Sequence, residues 1–164
     1  MNDVYLTYFN SEIGLIKITG SNDGILSLDF SDEKVPVKSS SKRNLPDCMK
    51  ECLSQLSEYF AGDRKKFDLR LILNGTEFQK KVWKELTKIP YGKTYSYKEI
   101  AEKSGNVKAV RAVGNANNKN KIAVIIPCHR VIGSNKKLVG YAGGIWRKEW
   151  LINHENVESV KKKV

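Results

Sequence analysis

The hydrophobic pattern of this 164-residue chain changes period part-way along, and that change limits the fold more than any other feature. In the first third, "VYLTYF", "GLIKIT" and "GILSLDF" alternate apolar and polar side chains, the period of half-buried strands. Between them stand "NSE" and "GSNDG", rich in residues that favour tight turns. Three short strands in succession predict an antiparallel meander. From Pro46 the spacing becomes helical: "LPDCMKECLSQLSEYF" sets Met49, Cys52, Leu53, Leu56 and Phe60 on one stripe. Pro46 near the start and Gly62 past the end suit a helix over about 46–60. "KVPVKSSSKRN", ahead of it, reads as a polar loop. "FDLRLIL", after it, reads as one more strand, and "NGT" at 74–76 as a domain boundary.

Beyond that boundary the helical spacing dominates. In "TEFQKKVWKELTKIP", Phe78, Val82, Trp83 and Leu86 recur at helical intervals until Pro90 ends the pattern. Ser96 is a natural N-cap for a short helix carrying Tyr97, Ile100 and Ala101. "SGN" breaks it, and a second helix is expected over about 107–117. Two short helices across a glycine turn form a helix-turn-helix pattern. The second would present Ala109, Ala112 and Ala116 around one long cation, Arg111. Base readout in a major groove wants several polar side chains. A smooth face with a single arginine suits close approach to a groove and insertion of one probe. A last helix, "IWRKEWLINHE", is expected to turn Trp146, Trp150 and Leu151 inward and to end near His154 and Glu155. The fold class is therefore α+β: a small N-terminal antiparallel sheet with a helix (1–75), then a mostly helical domain with a helix-turn-helix and a short active-site strand (76–155). A charged tail, 156–164, is expected to fray.

Charge separates along the same boundary. Residues 1–75 carry 10 Lys/Arg against 11 Asp/Glu, whereas residues 76–164 carry 19 against 7. An excess confined to the helical half points to a polyanionic partner, with nucleic acid favoured over a merely solubilising surface. No apolar run approaches the length that crosses a bilayer, and the N-terminus has no signal-peptide pattern, so a cytoplasmic protein without membrane contact is expected. Three cysteines in such a chain argue for free thiols. Cys48 and Cys52 read as packing residues. Neither histidine stands at zinc-finger spacing from them, so no metal is expected.

The residues that carry chemistry stand together in "IIPCHRVIG". Ile122 to Ile126 form an apolar run that reads as a strand buried on both faces, stopped by Pro127 and followed by Cys128, His129 and Arg130. Only the thiolate of a cysteine attacks well, so the thiol needs a base, and the base needs a group to orient it. His129 is adjacent, but neighbouring side chains on an extended backbone point apart. The chain must bend at Pro-Cys-His, or a water must bridge. Glu155 is the attractive orienter of the imidazole.

"IPCHRVIG", the helix-turn-helix before it and "GYAGGIWRKEWLINHE" after it resemble the O6-alkylguanine-DNA alkyltransferases from about Thr76 to Glu155. The first half resembles that family's ribonuclease-H-like N-terminal domain only in length and element content. The resemblance implies that Cys128 accepts the alkyl group from O6-alkylguanine, and from O4-alkylthymine as well, in an irreversible single turnover without cofactor. It implies that His129 takes the thiol proton through a water, that Glu155 holds His129, that Asn120 organises the loop before Cys128, and that Tyr97 supplies a proton to the guanine. Arg111 matches the finger that fills the space left by a flipped nucleotide, on a helix whose Ala109 and Ala112 allow close approach. Lys98, Asn106 and Ser134 fall at phosphate-contact positions. Tyr141, Ala142 and Gly143 match the wall of the base pocket, with Val131, Pro127 and Trp83 as apolar neighbours. The implied partner is duplex DNA bound through its minor groove by a monomer, with cooperative assembly left open.

Three rivals stand beside this reading. Alkyltransferase-like proteins bind lesions without repairing them, but they replace the acceptor cysteine. A Cys-His-Glu hydrolase would leave the basic half unexplained. A helix-turn-helix regulator needs more readout than one arginine among alanines supplies.

Overall fold

The computed structural model describes residues 3–32 and 44–161, with side chains as far as Asn156. The polar loop expected at 34–44 lies outside the described residues except for Asn44. The chain divides into two compact units: Met1–Asn74 with Lys121–Ala123, and Gly75–Asn120 with Val124–Val164.

The first unit is built on the expected meander. Strands β1 (Tyr5–Ser11), β2 (Gly14–Ser21) and β3 (Gly24–Ser31) pair antiparallel in the order β1-β2-β3, with Tyr8 opposite Lys17 and Ile18 opposite Leu28. Ile16, Ile18, Ile25 and Leu28 are fully buried, and helix α1 (Asp47–Phe60) covers them with Met49, Cys52, Leu56 and Tyr59. At about 1.5–3 kcal/mol for each fully buried aliphatic side chain, this layer dominates the unit's stability. Leu53, expected on that stripe, is only half-buried; Tyr59 takes the inward place instead. "FDLRLIL" forms no strand. It meets β3 in a single parallel bridge, Ile25 to Leu71, with Ile25 N–H donating to Arg70 and Ile72 N–H donating to Ile25. Gly24 permits this approach, because a Cβ there would stand 2.6 Å from the Arg70 carbonyl oxygen. A second parallel bridge on β3 joins Leu28 to Ile122, drawing Lys121–Ala123 into the unit.

The second unit is mostly helical. Helix α2 (Glu77–Leu86) starts in a reciprocal capping box between Thr76 and Gln79 and buries Val82, Trp83 and Leu86, while Phe78 turns to the surface. After the two-residue strand β4 (Tyr95–Ser96), Ser96 and Glu99 cap α3 (Tyr97–Lys103) in the same way. Gly105, at φ +90°, closes α3: its N–H donates to Glu102 and that of Asn106 to Ala101, the paired bonds of a left-handed helix terminus. Helix α4 (Val110–Asn118) begins three residues later than the sequence suggested. Asn106 Oδ1 accepts the Lys108 N–H at 3.0 Å, a local turn that competes with helix there.

The run Ile122–Ile126 is not a strand. Its only ladder contact is the Ile122 bridge, and Val124 adopts φ 70°, a conformation costing a β-branched residue about 1–3 kcal/mol. Its side chains are apolar because they are buried in turns. Strand β5 (Val131–Ile132) follows the cysteine rather than preceding it, and pairs in parallel with β4.

Helix α5 (Ile145–Lys161) is longer than expected; residues assigned to a frayed tail are helical through Lys161. Its inward face also differs. Leu151 is buried as expected, but Trp146 is 56% exposed and Trp150 is half-buried against His154. Arg147, Lys148 and Glu155 are the other buried residues of this helix. Among the described residues no helix is long and apolar enough to cross a membrane.

Candidate active site

Pro127 sets the geometry of the site. Its φ of −81° and ψ of 64° form an inverse γ-turn, closed by Cys128 N–H donating to the Ile126 carbonyl at 2.8 Å. One 3₁₀ turn follows, Cys128–Arg130, in which Arg130 N–H returns to the Pro127 carbonyl at 3.0 Å. Three residues per turn fan the thiol, imidazole and guanidinium about 120° apart. The bend that an extended backbone would have forbidden is therefore present. Two asparagines hold it: Asn120 Nδ2 donates to the Ile126 carbonyl at 2.8 Å, and Asn117 Nδ2 lies 3.4 Å from the Cys128 carbonyl.

His129 is fully buried, and its Nε2 meets Glu155 Oε2 at 2.8 Å. Arg130 grips the same carboxylate with two bonds, Nε to Oε1 at 2.8 Å and Nη2 to Oε2 at 3.0 Å, and donates Nη1 to the Ile89 carbonyl at 2.7 Å. Burial alone would raise the Glu155 pKa, but His129 and Arg130 outweigh it and hold the carboxyl well below its usual range. A carboxylate that accepts from Nε2 fixes the tautomer with the proton on that nitrogen. Nδ1, which has no hydrogen-bond partner among the described residues, is left as the basic nitrogen. Burial pushes the His129 pKa down; Glu155 opposes, and the Arg130 and Lys148 charges reinforce it. The imidazole is neutral at pH 7, as a base must be.

Cys128 is 6% exposed. Burial raises its pKa, while a hydrogen bond from Asn120 and the Lys148 charge pull it back. Two phenols are coupled to the sulfur electrostatically. Burial and a charge on Cys128 raise the pKa of Tyr97, with Asn117 opposing, and raise that of Tyr141 well above the ordinary phenol value. Both are neutral donors across the physiological range. Tyr97 donates its hydroxyl to the Val139 carbonyl at 3.0 Å. It also lines an open cavity of about 310 Å³ with Val110, Arg111, Gly114, Val139 and Gly140.

The residues singled out from sequence fall into two groups. Cys128, His129, Glu155, Asn120, Tyr97, Tyr141, Pro127 and Val131 lie at or beside the 3₁₀ turn, and Trp83 is buried in the same unit with Nε1 donating to the Ala116 carbonyl at 2.8 Å. Arg111, Ala112, Lys98, Asn106, Ser134 and Ala142 are exposed, with Ala109 and Gly143 intermediate. Ala116 does not share a surface with Ala112, because it faces the core under Trp83. Sequence reasoning missed Arg130, Asn117 and Lys148. Arg130 was visible as part of the Pro-Cys-His-Arg run; nothing in the pattern marks the other two. Among the described residues no cluster of His, Cys, Asp and Glu is placed to hold a metal.

Residues 77–157 match the family model described as "6-O-methylguanine DNA methyltransferase, DNA binding domain", and residues 4–73 match its "ribonuclease-like domain". This chain belongs to the 6-O-methylguanine DNA methyltransferase family. A methylated-DNA–protein-cysteine methyltransferase of Methanosarcina acetivorans is 49% identical over 93% of this chain and 98% of its own. The constitutive enzyme of that name from Bacillus subtilis is 44% identical over 96% and 99%. A crystal structure of Mycobacterium tuberculosis OGT in complex with DNA superposes with a TM-score of 0.82, at 43% identity over 92% of this chain and 91% of that one.

Proposed function

We infer that this protein repairs DNA by moving the alkyl group of O6-alkylguanine onto its own Cys128, once per molecule. The observation that carries this reading is the buried His129–Glu155 pair one residue from the thiol, in a chain of this family. His129 Nδ1 accepts the thiol proton through a water. The sulfur then attacks the alkyl carbon, forming a C–S bond as the carbon–O6 bond breaks. The electron pair leaves on guanine, which takes a proton from Tyr97. A thioether remains, and no group at the site can hydrolyse it.

The lesion atom is buried in the base stack, so the nucleotide must be turned out of the duplex, at about a few kcal/mol. Arg111, exposed beside the Tyr97 cavity, is suited to fill the vacated space, and Ala112 leaves room for the groove wall. This face suits the minor groove, with Lys98, Asn106 and Ser134 on phosphates, and we take the binding species to be a monomer. Free thiols at Cys48, Cys52 and Cys128 support a cytoplasmic setting. Because Cys128 is present, the lesion-binding alternative that lacks the acceptor is not favoured.

Cys128→Ala is expected to bind alkylated duplex as well as the parent chain and to accept no alkyl group in a gel assay with radiolabelled lesion. Residual transfer by the variant would overturn the assignment.

A further inference from the structure

Lys148 is the one fully buried lysine among the described residues. It lies seven positions before Glu155 on α5, hence on the same inward face. Its Nζ donates to the carbonyls of Val139 at 2.8 Å and Gly140 at 3.4 Å, and sits 5.7 Å from the centre of the Tyr97 ring. No carboxylate among the described residues pairs with it, and Glu155 is already matched by Arg130 and His129. A buried ammonium answered only by carbonyl dipoles is costly, and such costs collect where charge is used.

The surroundings say what the charge is for. The groups coupled electrostatically to Cys128, directly or through one another, are Tyr97 from α3, Tyr141 from the loop before α5, His129 and Arg130 from the 3₁₀ turn, and Arg147, Lys148 and Glu155 from α5. The phenols and the imidazole are neutral. Arg130 and Glu155 cancel. Moving the Cys128 proton to His129 leaves the net charge of the cluster unchanged, but it creates an anion that the Lys148 ammonium answers. Cys128 and Lys148 each favour the charged form of the other, although burial brings Lys148 down to about 8.

We propose that Lys148 is the counter-ion of the Cys128 thiolate, a positioning residue whose buried ammonium stabilises the attacking form of the sulfur once His129 has taken its proton. The thiol proton goes to His129, and Lys148 keeps its own throughout. The carbonyls of Val139 and Gly140 aim the ammonium and tie the loop before Tyr141 to α5. This role rests on Cys128 being the acceptor, but its tests use no DNA, so it can fail while the repair reading stands.

The first test is the pH dependence of Cys128 alkylation by iodoacetamide, followed by peptide mapping with Cys48 and Cys52 as internal controls. Lys148→Met should move the midpoint up by about one pH unit or more, lowering the rate near neutrality about tenfold, whereas Lys148→Arg should keep the parent midpoint. An unmoved midpoint in a folded Lys148→Met protein would overturn the proposal. The second test needs no substitution at Lys148. The ¹³Cε signal of Lys148 should titrate about one unit lower in Cys128→Ser than in the parent, since each partner of a coupled pair feels the loss of the other. Equal titration in the two proteins would overturn the proposal, whether or not Lys148→Met folds.

Discussion

Cys52 and Cys128 are both buried thiols, and the contrast between them shows what makes a sulfur useful. Cys52 lies in the apolar layer beneath the meander, where burial, with Cys48 adding to it, pushes its pKa up to about 12. Cys128 is buried too, yet Asn120 and Lys148 pull against the burial, and the His129–Glu155 pair lies beside it. Burial sets the default for a thiol, which is inertness. Reactivity requires a polar network, and that network must itself be satisfied or it costs more than it supplies.

The contrast breaks most readily at Glu155. Glu155→Gln should leave Arg130 buried without its carboxylate, and an amide that can turn either its oxygen or its N–H toward His129 no longer fixes the imidazole tautomer. Single-turnover transfer should fall by about 10²-fold or more. The midpoint of denaturant unfolding should drop by the equivalent of about 3–5 kcal/mol, as when one partner of a buried ion pair is removed. Transfer at the parent rate by a folded Glu155→Gln protein would show that Cys128 needs no more help than Cys52 receives. Acid should act through the same pair. The folded-state Glu155 pKa is depressed, so its stabilisation is complete above the unfolded value of about 4.3 and is lost as pH falls further.

A smaller effect sharpens the comparison from outside the network. Arg111→Ala should slow repair of duplex DNA by about tenfold while leaving alkylation of Cys128 by iodoacetamide unchanged, since an exposed residue delivers the lesion without tuning the sulfur. Equal losses in both assays would remove its role as an inserted probe.

The same division explains what could be read in advance. The meander, α1, α2 and the helix-turn-helix were legible because alternation, helical stripes, capping boxes and Gly105 leave local marks. The Ile122–Ile126 run misled, since an apolar segment buried in turns has the composition of a buried strand; only Val124's backbone distinguishes them. Helix α5 misled for the opposite reason. Its inward face carries Arg147, Lys148 and Glu155, so reading its apolar residues as the core side turned Trp146 the wrong way. Within the site, Cys128, His129 and Glu155 were legible from residue type and neighbourhood. Lys148 and Asn117 were not, because a lysine among lysines and an asparagine in "NANNKN" look like surface until the fold buries them.

The central claim is that one sulfur, set apart from its two chemical equals by its surroundings, takes the alkyl group. Incubation with excess duplex containing O6-methylguanine, followed by intact mass and peptide mapping, tests it directly. The account predicts a gain of one methyl group per chain, located on Cys128, with the reaction stopping there. Methyl on Cys48 or Cys52, more than one turnover, or no gain at all would contradict it.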